Sequence, residues 1–378
     1  MKILFVQKII GVAGSENYLL NILPGLQTRG FIVDFISLVP INKKGREEEF
    51  NSLLAQQGIK LHTVYYQFPY LSALSKINRI IIKGKYDLVH SHLIHADFFL
   101  ALTKKFFNRK MMLVSTKHGY EEKYINSYGF DAKHSRKNIY WTILRWSERS
   151  MNRSFAISKS LQSLFVGLNI CNRDKIDIIH YGFTFANEPE LDSSIRYSEN
   201  QLVLVGRLTE FKGHRFALEA VALLKERIPD IKLIIVGSGD LESDLNKLVV
   251  ELRVESHIVF YGYHPNGRQF MYNSDVVLIP SVAEGFGVVV LEAFSVRRPI
   301  VAFNVPSLNE HIKHNNNGIL VKPYDVESYA SSIELLLNDK NKREMMADKA
   351  YELLISYYSQ ARMLDETIDF YQRVLNHQ

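Results

Sequence analysis

The sequence is poor in cysteine and has neither a long apolar run nor a low-complexity segment. Its single cysteine, Cys171, excludes an internal disulfide and is typical of a reducing cytoplasm. No stretch of about twenty apolar residues is present, so we expect no membrane-spanning helix. The N-terminal MKILFVQKII lacks the small-residue cleavage site of a signal peptide, and we interpret it as a first β-strand. The 378-residue chain is 47% hydrophobic, which excludes a disordered protein and predicts two domains.

Positive charge is concentrated in the first half of the chain. Residues 1–190 contain 26 Lys and Arg against 15 Asp and Glu, whereas residues 191–378 contain 20 against 25. A basic half joined to an acidic half indicates an anionic partner for the first half. Nucleic acid and anionic lipid headgroups both fit this charge.

Short apolar segments alternate with helical patterns along the chain, as is typical of parallel doubly wound sheets. The pattern weakens at residues 183–199, which we interpret as an interdomain linker, and the last segment, at about residues 341–377, is predicted to be helical and amphipathic. The predicted strands are residues 2–8, 31–38, 59–66, 86–90, 111–116 and 153–157 in the first half, and 201–206, 231–236, 257–261, 275–280 and 299–303 in the second.

A glycine-containing loop follows the first predicted strand and opens a helix at Gly14-Ser15-Glu16. Glycines let backbone amides approach a phosphate, and a helix N-terminus favours an anion. The loop is not G-x-G-x-x-G, so an ordinary tight turn fits it equally well.

A second loop, Val205-Gly206-Arg207 to Lys212-Gly213, also follows a strand. Arginine offers forked donors and lysine a point charge, and together they can neutralise a diphosphate. A solvated basic loop is the alternative.

The most specific motif is Glu284-Gly285-Phe286-Gly287 followed by Val288 to Glu292. The motif follows a predicted strand, which places Glu284 at the edge of the sheet where ligands bind in α/β folds. The two glycines allow amides to face a phosphate. Glu292 lies in an apolar run, so its half-buried carboxylate needs a partner, either ribose hydroxyls or a structural cation.

A strand ending in Thr116-Lys117-His118-Gly119 offers an imidazole that could bond a sugar hydroxyl. A satisfied loop histidine is the alternative. His90, His92 and His95 cluster near another strand end, but no local acid or cysteine completes a metal-binding set.

In their order and spacing these motifs resemble the retaining GT-B glycosyltransferases of family 4. The resemblance extends from residue 1 to about residue 325 and includes further matching segments, at residues 155–159, 178–182, 236–239, 260–262 and 317–323.

The resemblance implies an α/β fold of GT-B architecture, with two Rossmann-like domains facing each other across a cleft. We expect an acceptor-binding domain at residues 1–185, a nucleotide-sugar-binding domain at 186–360, and a C-terminal helix at 361–378 that returns to the first domain.

The resemblance also implies roles for single residues. Arg207 and Lys212 would bind the donor diphosphate, and Glu292 the ribose. Glu284 would contact the donor sugar near the reacting carbon, with His118 beside it. The predicted catalytic residues are Glu284, His118, Arg207 and Lys212. The predicted donor-binding residues are Gly14, Gly206, Arg207, Lys212, Gly237, Tyr261, Gly262, Glu284, Gly285, Phe286, Gly287, Val288 and Glu292.

Several positions depart from the family pattern. Tyr181 and Thr184 replace a usual asparagine and a usual acid, and Ala13 replaces a glycine. Arg298 stands in place of a glycine, and Pro306-Ser307 in place of a glycine pair. The last loop often faces the donor sugar, so the identity of the sugar is left open.

Two basic segments with aromatic residues lie in the first half, at residues 104–112 and 133–153, and the second contains Trp141 and Trp146. Such composition suits an anionic membrane surface. We therefore hypothesise a lipid-linked acceptor; a solvated helix with buried tryptophans is the alternative.

The resemblance predicts transfer of a hexose-type sugar from a UDP- or GDP-sugar to a glycan or lipid-linked glycan in cell-envelope polysaccharide biosynthesis. We expect no metal or other cofactor, and a cytoplasmic enzyme peripheral to the inner face of the plasma membrane. One rival is an epimerase or hydrolase on the same fold. The other is a basic nucleic-acid-binding protein, which the acidic second half and the lack of a nucleic-acid module argue against.

Overall fold

The computed structural model describes residues 1–12, 14–119, 139–183 and 192–376. Within them the chain forms two compact units. The first unit contains the described residues up to Phe183 together with residues 360–376. The second unit contains residues 192–359. The predicted boundary between residues 185 and 186 lies outside the described residues.

In its described part, the first unit has a seven-stranded parallel sheet of order β3-β2-β1-β4-β5-β6-β7. Its central strands are buried on both faces, as is typical of parallel sheets, and the two with the sequences LVHSH and LVSTK bury polar side chains as well. The strands are β1 (Lys2–Lys8), β2 (Ile32–Pro40), β3 (Lys60–Tyr66), β4 (Leu88–His92), β5 (Leu113–Lys117), β6 (Arg153–Ala156) and β7 (Ile176–Ile178).

Helices connect these strands, as the alternating pattern predicts. The described helices are Gly14–Thr28, Glu48–Gln56, Leu71–Gly84, Leu93–Phe106, Ile139–Glu148, Lys159–Gly167 and Gln360–Asn376. The helix Glu48–Gln56 was not predicted, because only Phe50 and Leu54 are buried in it and its apolar signal is short.

The second unit repeats this construction. Among its described residues a six-stranded parallel sheet has the order β10-β9-β8-β11-β12-β13. The strands are β8 (Gln201–Val205), β9 (Lys232–Val236), β10 (Ile258–Gly262), β11 (Val276–Ile279), β12 (Ile300–Phe303) and β13 (Ile319–Val321). The helices are His214–Leu224, Glu242–Glu251, Gly267–Tyr272, Val288–Ser295, Leu308–His311, Val326–Asn338 and Lys340–Tyr357. The α/β fold class with two parallel sheets is thus confirmed.

Residues 192–199 of the predicted linker are attached to the second unit, to which the predicted domain bounds also assign them. Ile195 is buried, and the Arg196 guanidinium donates to the Asn273 carbonyl at 3.0 Å and to an Asp275 carboxylate oxygen at 3.2 Å. Because these contacts are polar, the segment shows no apolar periodicity. The sequence pattern therefore did not indicate that the segment packs against the second unit. Residues 184–191 lie outside the described residues.

The final segment, predicted to be helical at about residues 341–377 with a C-terminal helix from residue 361, has a break between Tyr357 and Gln360. The structure has two helices, Lys340–Tyr357 in the second unit and Gln360–Asn376 in the first, because their apolar sides are buried in different cores. At the break the buried Tyr358 hydroxyl lies 2.5 Å from Nδ1 of His311.

The final helix is an integral part of the first unit. The Tyr371 hydroxyl lies 2.7 Å from Nδ1 of His90, and the Phe370 ring packs edge-on against Phe155 with centroids 5.2 Å apart. Arg373 pairs with Asp177 at 2.8 Å. The helix therefore contributes side chains to the core beneath β4 and β6.

We expect Phe370→Ala to lower the free energy of unfolding by about 3–5 kcal/mol, because it empties a fully buried ring site. Urea unfolding measures the change, with Gln372→Ala, an exposed position on the same helix, as the matched control. An equal, small loss in both variants would show that this helix does not belong to the first core.

Candidate functional site

Three glycines join the loops at the carboxyl ends of β8, β9 and β10. The Gly206 amide donates to the Val236 carbonyl at 2.9 Å, and the Gly237 amide to the Gly262 carbonyl at 2.8 Å. At Gly237 φ is +151°, and a Cβ there would lie 1.9 Å from the Gly206 carbonyl oxygen. Only glycine permits this approach, so the predicted glycines have a backbone role at this edge.

The loop between Gly206 and Gly213 is clamped against the loop that follows β11. The Val282 amide donates to the Phe211 carbonyl at 2.9 Å. At Gly213 φ is +69°, and a Cβ would lie 2.0 Å from the Pro280 carbonyl oxygen. This contact brings the second and third sequence motifs together, although about 70 residues separate them.

Lys212 and Glu284 form an ion pair, with Nζ of the lysine 2.5 Å from Oε1 of the glutamate. Their side chains are 20% and 9% exposed, so the pair is shielded yet reachable. Lys212 was predicted to bind the donor diphosphate and Glu284 the donor sugar, yet their side chains contact each other. Arg207, on the same loop, is exposed.

The helix Val288–Ser295 begins directly after the Glu284 loop. Its N-cap is Gly287, with φ of +85° and no side-chain cap, so the first turn has backbone amides that a ligand can bind. Phe286 is 3% exposed and its carbonyl lies 2.9 Å from Nε2 of His311, so its side chain packs inside the unit. In this motif Glu284, Gly285 and Val288 are partly exposed, whereas Phe286 and Gly287 are buried.

Glu292 lies on this helix, half-buried among apolar residues. Burial raises the pKa of its carboxyl group above the ordinary value, and the positive charges of Arg268 and Lys212 oppose that rise. The carboxylate thus lies in the same electrostatic neighbourhood as the Lys212–Glu284 pair.

An exposed aromatic ring completes this edge. Tyr261, at the end of β10, is 41% exposed and packs edge-on against Phe270 with centroids 4.3 Å apart. Gly262 follows with φ of +84° and turns the chain away. A ring held in this way can stack with a planar base.

The first unit has a pocket of about 510 Å³ at the carboxyl ends of β1, β4 and β5. The Gly11 loop, Ser15 and Glu16 line it, and the exposed Gly14 begins the helix beside it. Nε2 of Gln7 donates to both Ser15 and Glu16, at 3.0 and 2.5 Å, which fixes the start of the helix.

His118 also lines this pocket, but both of its ring nitrogens have partners. Nε2 lies 2.7 Å from Nδ1 of His92, and Nδ1 is hydrogen-bonded to the Tyr181 hydroxyl. Burial, with the nearby Lys117 charge, lowers the pKa of His118 to about 3, so the ring is neutral at physiological pH. A sugar hydroxyl would have to displace one of these partners.

The histidines at residues 90 and 92 lie at the carboxyl end of β4, which ends at His92, and both rings are completely buried. His92 was missed as a partner of His118, and so was Tyr181, which departs from the family pattern. Only the spacing of alternate residues along β4 could have indicated that His90 and His92 share one face.

Lys117, in the same motif, is a buried cation that sequence reasoning left unassigned. Its Nζ lies 2.8 Å from Asp97 and 2.6 Å from Glu148, and each of the three side chains is at most 5% exposed. Burial lowers the pKa of Lys117, but the two carboxylates outweigh it and raise the pKa above its ordinary value. The triad anchors β5 directly beneath His118.

The structure buries one of the two tryptophans that the membrane hypothesis placed at a membrane surface. Trp141 is fully buried, so it cannot contact a membrane, while Trp146 is half-buried with Nζ of Lys105 5.7 Å from its ring. Residues 133–138 lie outside the described residues. In the described part of the chain, no helix is both long and apolar enough to cross a bilayer.

Among the described residues, no three His, Cys, Asp or Glu side chains are grouped to hold a metal ion. The expectation that the reaction needs no metal stays a prediction.

Two family models match the chain in succession. The model described as Glycosyltransferase Family 4 matches residues 12–185, and the model described as Glycosyl transferases group 1 matches residues 190–353. Together they account for most of both units.

Two curated relatives that are at least 30% identical match about half of the chain. An uncharacterized glycosyltransferase of Methanocaldococcus jannaschii is 33% identical over 57% of this chain and 58% of its own length. A lipopolysaccharide core biosynthesis glycosyltransferase of Rhizobium meliloti is 30% identical over 43% of this chain and 46% of its own. The chain thus spans about half the length of these relatives.

Solved structures match over the whole chain. HepE of Anabaena, in complex with UDP-glucose, has a TM-score of 0.82 and 22% identity, covering 99% of this chain and 100% of that one. At this identity the likeness shows the fold.

We expect Gly213→Ala to lower the free energy of unfolding more than Gly262→Ala does. Both positions have a left-handed backbone, which costs an alanine about 1–2 kcal/mol. A Cβ at Gly213 would meet the Pro280 carbonyl, whereas at Gly262 nothing lies within 4 Å. Urea unfolding of both variants measures the difference; equal losses would contradict the clamp between the two loops.

Proposed function

The chain belongs to the family 4 glycosyltransferases, and we propose that it transfers a hexose from a UDP- or GDP-hexose to a glycan or lipid-linked glycan with retention of anomeric configuration. The observation that carries this proposal is the convergence of Arg207, Lys212, Glu284 and Glu292 at one edge of the second sheet. Two cations, two carboxylates and a free helix N-terminus match the parts of a nucleotide-sugar.

The donor is assigned by charge and shape. Arg207, Lys212 and the amides at the start of the helix Val288–Ser295 would hold the diphosphate, and Glu292 the ribose hydroxyls. The Tyr261 ring would lie against the base. The bound UDP-glucose of the structural neighbour HepE supports a uridine nucleotide as the first candidate.

The Lys212–Glu284 pair suggests how the site responds to the donor. In the free protein each charge neutralises the other. A diphosphate would compete for Lys212, and Glu284 would then be released toward the hydroxyls of the sugar. The exchange places a carboxylate beside the ring that becomes positively charged, and cations on the oxygens that become negative.

The acceptor proton is proposed to leave with the donor phosphate, in a same-face attack. His118 is neutral, with a pKa of about 3, and is hydrogen-bonded on both sides. It therefore suits a positioning role better than that of a general base. No metal is assigned in this scheme, in which Arg207 and Lys212 stabilise the leaving group.

The acceptor is proposed to belong to cell-envelope polysaccharide assembly, as the name of the Rhizobium meliloti relative suggests. A lipid-linked acceptor would bring the enzyme to the cytoplasmic face of a membrane. The pocket at the ends of β1, β4 and β5 is the natural place for the acceptor end.

We expect one nucleotide-sugar to raise the melting temperature of the protein, and Arg207→Ala to weaken its binding about 10–100-fold through loss of a charged hydrogen bond. A thermal-shift panel of UDP- and GDP-sugars measures this, with Arg215→Ala, an exposed arginine paired with Glu219, as the control. Product analysis by NMR then separates transfer with retention from hydrolysis or epimerisation. If no nucleotide diphosphate binds, the proposed donor site is wrong.

We expect Glu292→Gln to stabilise the free protein while weakening nucleotide binding. The pKa of the Glu292 carboxyl group is higher in the folded protein than in the unfolded chain. The folded protein therefore loses stability as the pH rises from the unfolded-state pKa toward the folded-state pKa. The gain in unfolding free energy should therefore be larger at pH 7 than at about pH 4. Glu251→Gln, at an exposed position, is the control. A variant that loses stability at pH 7 would contradict the assignment of Glu292 as a desolvated ribose ligand.

A further inference from the structure

The helix Leu71–Gly84 has an unusually basic exposed side. Its buried side chains, Ala73, Leu74, Ile77 and Ile81, pack into the core of the first unit. Its exposed side has Lys76, Arg79 and Lys83, and Lys85 follows. From residue 67 to residue 86 there are these four cations and no acidic residue.

Within the described part of the chain, no acidic side chain neutralises these cations. None of the four forms an ion pair with another described residue, and within the described residues their charged groups make one hydrogen bond, which Nζ of Lys76 donates to the Thr63 carbonyl at 2.8 Å. A basic helix side without acidic neighbours creates a positive field over its surface. The field favours an extended anionic surface.

Large apolar side chains flank the same helix. Phe68, in the turn between β3 and the helix, is 82% exposed, and Leu71, the first residue of the helix, is 70% exposed. Ile82, near the other end, is 59% exposed. Proteins that bind the surface of an anionic bilayer combine exposed apolar side chains with nearby unpaired cations.

The turn lies on the functional side of the sheet. Phe68 and Leu71 follow the carboxyl end of β3, and the pocket beside His118 lies at the carboxyl ends of β1, β4 and β5. In a parallel sheet these ends form one edge. A surface that docks near this turn would bring a membrane-borne acceptor to the edge that bears the pocket.

We propose that the basic helix surface, made of Phe68, Leu71, Lys76, Arg79 and Lys83, binds an anionic lipid membrane. The two apolar side chains enter the interface and the cations lie among the headgroups. The proposal rests on the proposed function only in assuming that the acceptor is membrane-borne. It replaces the buried Trp141 as the apolar anchor.

A second basic surface on the same unit provides a matched comparison. Lys105 and Arg109 lie near the exposed Phe106 and Phe107, at the amino end of β5 and thus at the opposite edge from the pocket. This surface has similar charge and less exposed rings, at 64% and 47%. Docking there would direct the pocket away from the bilayer.

The test is co-sedimentation of the full chain with vesicles of phosphatidylcholine alone or with about 30% phosphatidylglycerol. We expect binding only to the anionic vesicles. Arg79→Gln with Lys83→Gln should weaken it about thirtyfold, since each cation near the surface contributes about a factor of five. Phe68→Ser with Leu71→Ser should weaken it about tenfold, and Lys105→Gln with Arg109→Gln should have little effect.

Thermal unfolding and donor binding are measured on every variant. Unchanged values show that the fold and the donor site are intact, so loss of vesicle binding is a surface effect. If the Lys105 and Arg109 double variant loses binding instead, the docking surface is the opposite edge and the proposal is wrong. If the unsubstituted protein binds a nucleotide-sugar but no vesicles, the membrane surface is overturned while the proposed function stands.

Discussion

In both units every described strand runs parallel to its sheet neighbours, and this constraint determines where chemistry can occur. Parallel strands deliver all of their following loops to one edge. The loops after β8 and β11 are thereby held close enough for Lys212 to contact Glu284, although about 70 residues separate them in sequence. The same constraint in the first unit brings the Gly11 loop, His95 and His118 around one pocket.

The glycines of the second unit allow the loops at this edge to pack closely enough to form a site. At Gly237 and Gly213 a side chain would collide with a carbonyl oxygen of a neighbouring loop, at 1.9 and 2.0 Å. The loops therefore pack backbone against backbone, and the ionic side chains lie above that layer. In the first unit the equivalent rigidity comes from the buried Lys117 triad, in which the lysine pairs with both carboxylates. A buried cation held between two carboxylates keeps its position because an unpaired charge there would be very costly.

Sequence reasoning predicted the features that depend on pattern. The strands of both sheets are apolar runs or segments at regular spacing, and most helices between them have a 3.6-residue period. The Lys212–Glu284 contact could not be predicted, because it depends on how two distant loops cross. The hydrogen-bonded chain Tyr181–His118–His92 was missed for a related reason. The sequence identified Tyr181 only as a departure from the family pattern, and its hydroxyl reaches His118 only because the fold brings it beside the end of β5. For the final segment, periodicity predicted helix, but periodicity reports only that a side is buried and not which core buries it.

The helix Gln360–Asn376 has a consequence for the synthesis of the protein. The core of the first unit needs Phe370 and Tyr371, yet all described residues of the second unit precede them in the chain. On the ribosome the second unit can finish folding while the first still lacks part of its interior. Until the last helix emerges, the side of β4 bearing His90 and the ring of Phe155 stay uncovered. The first domain to be translated is thus the last to be completed.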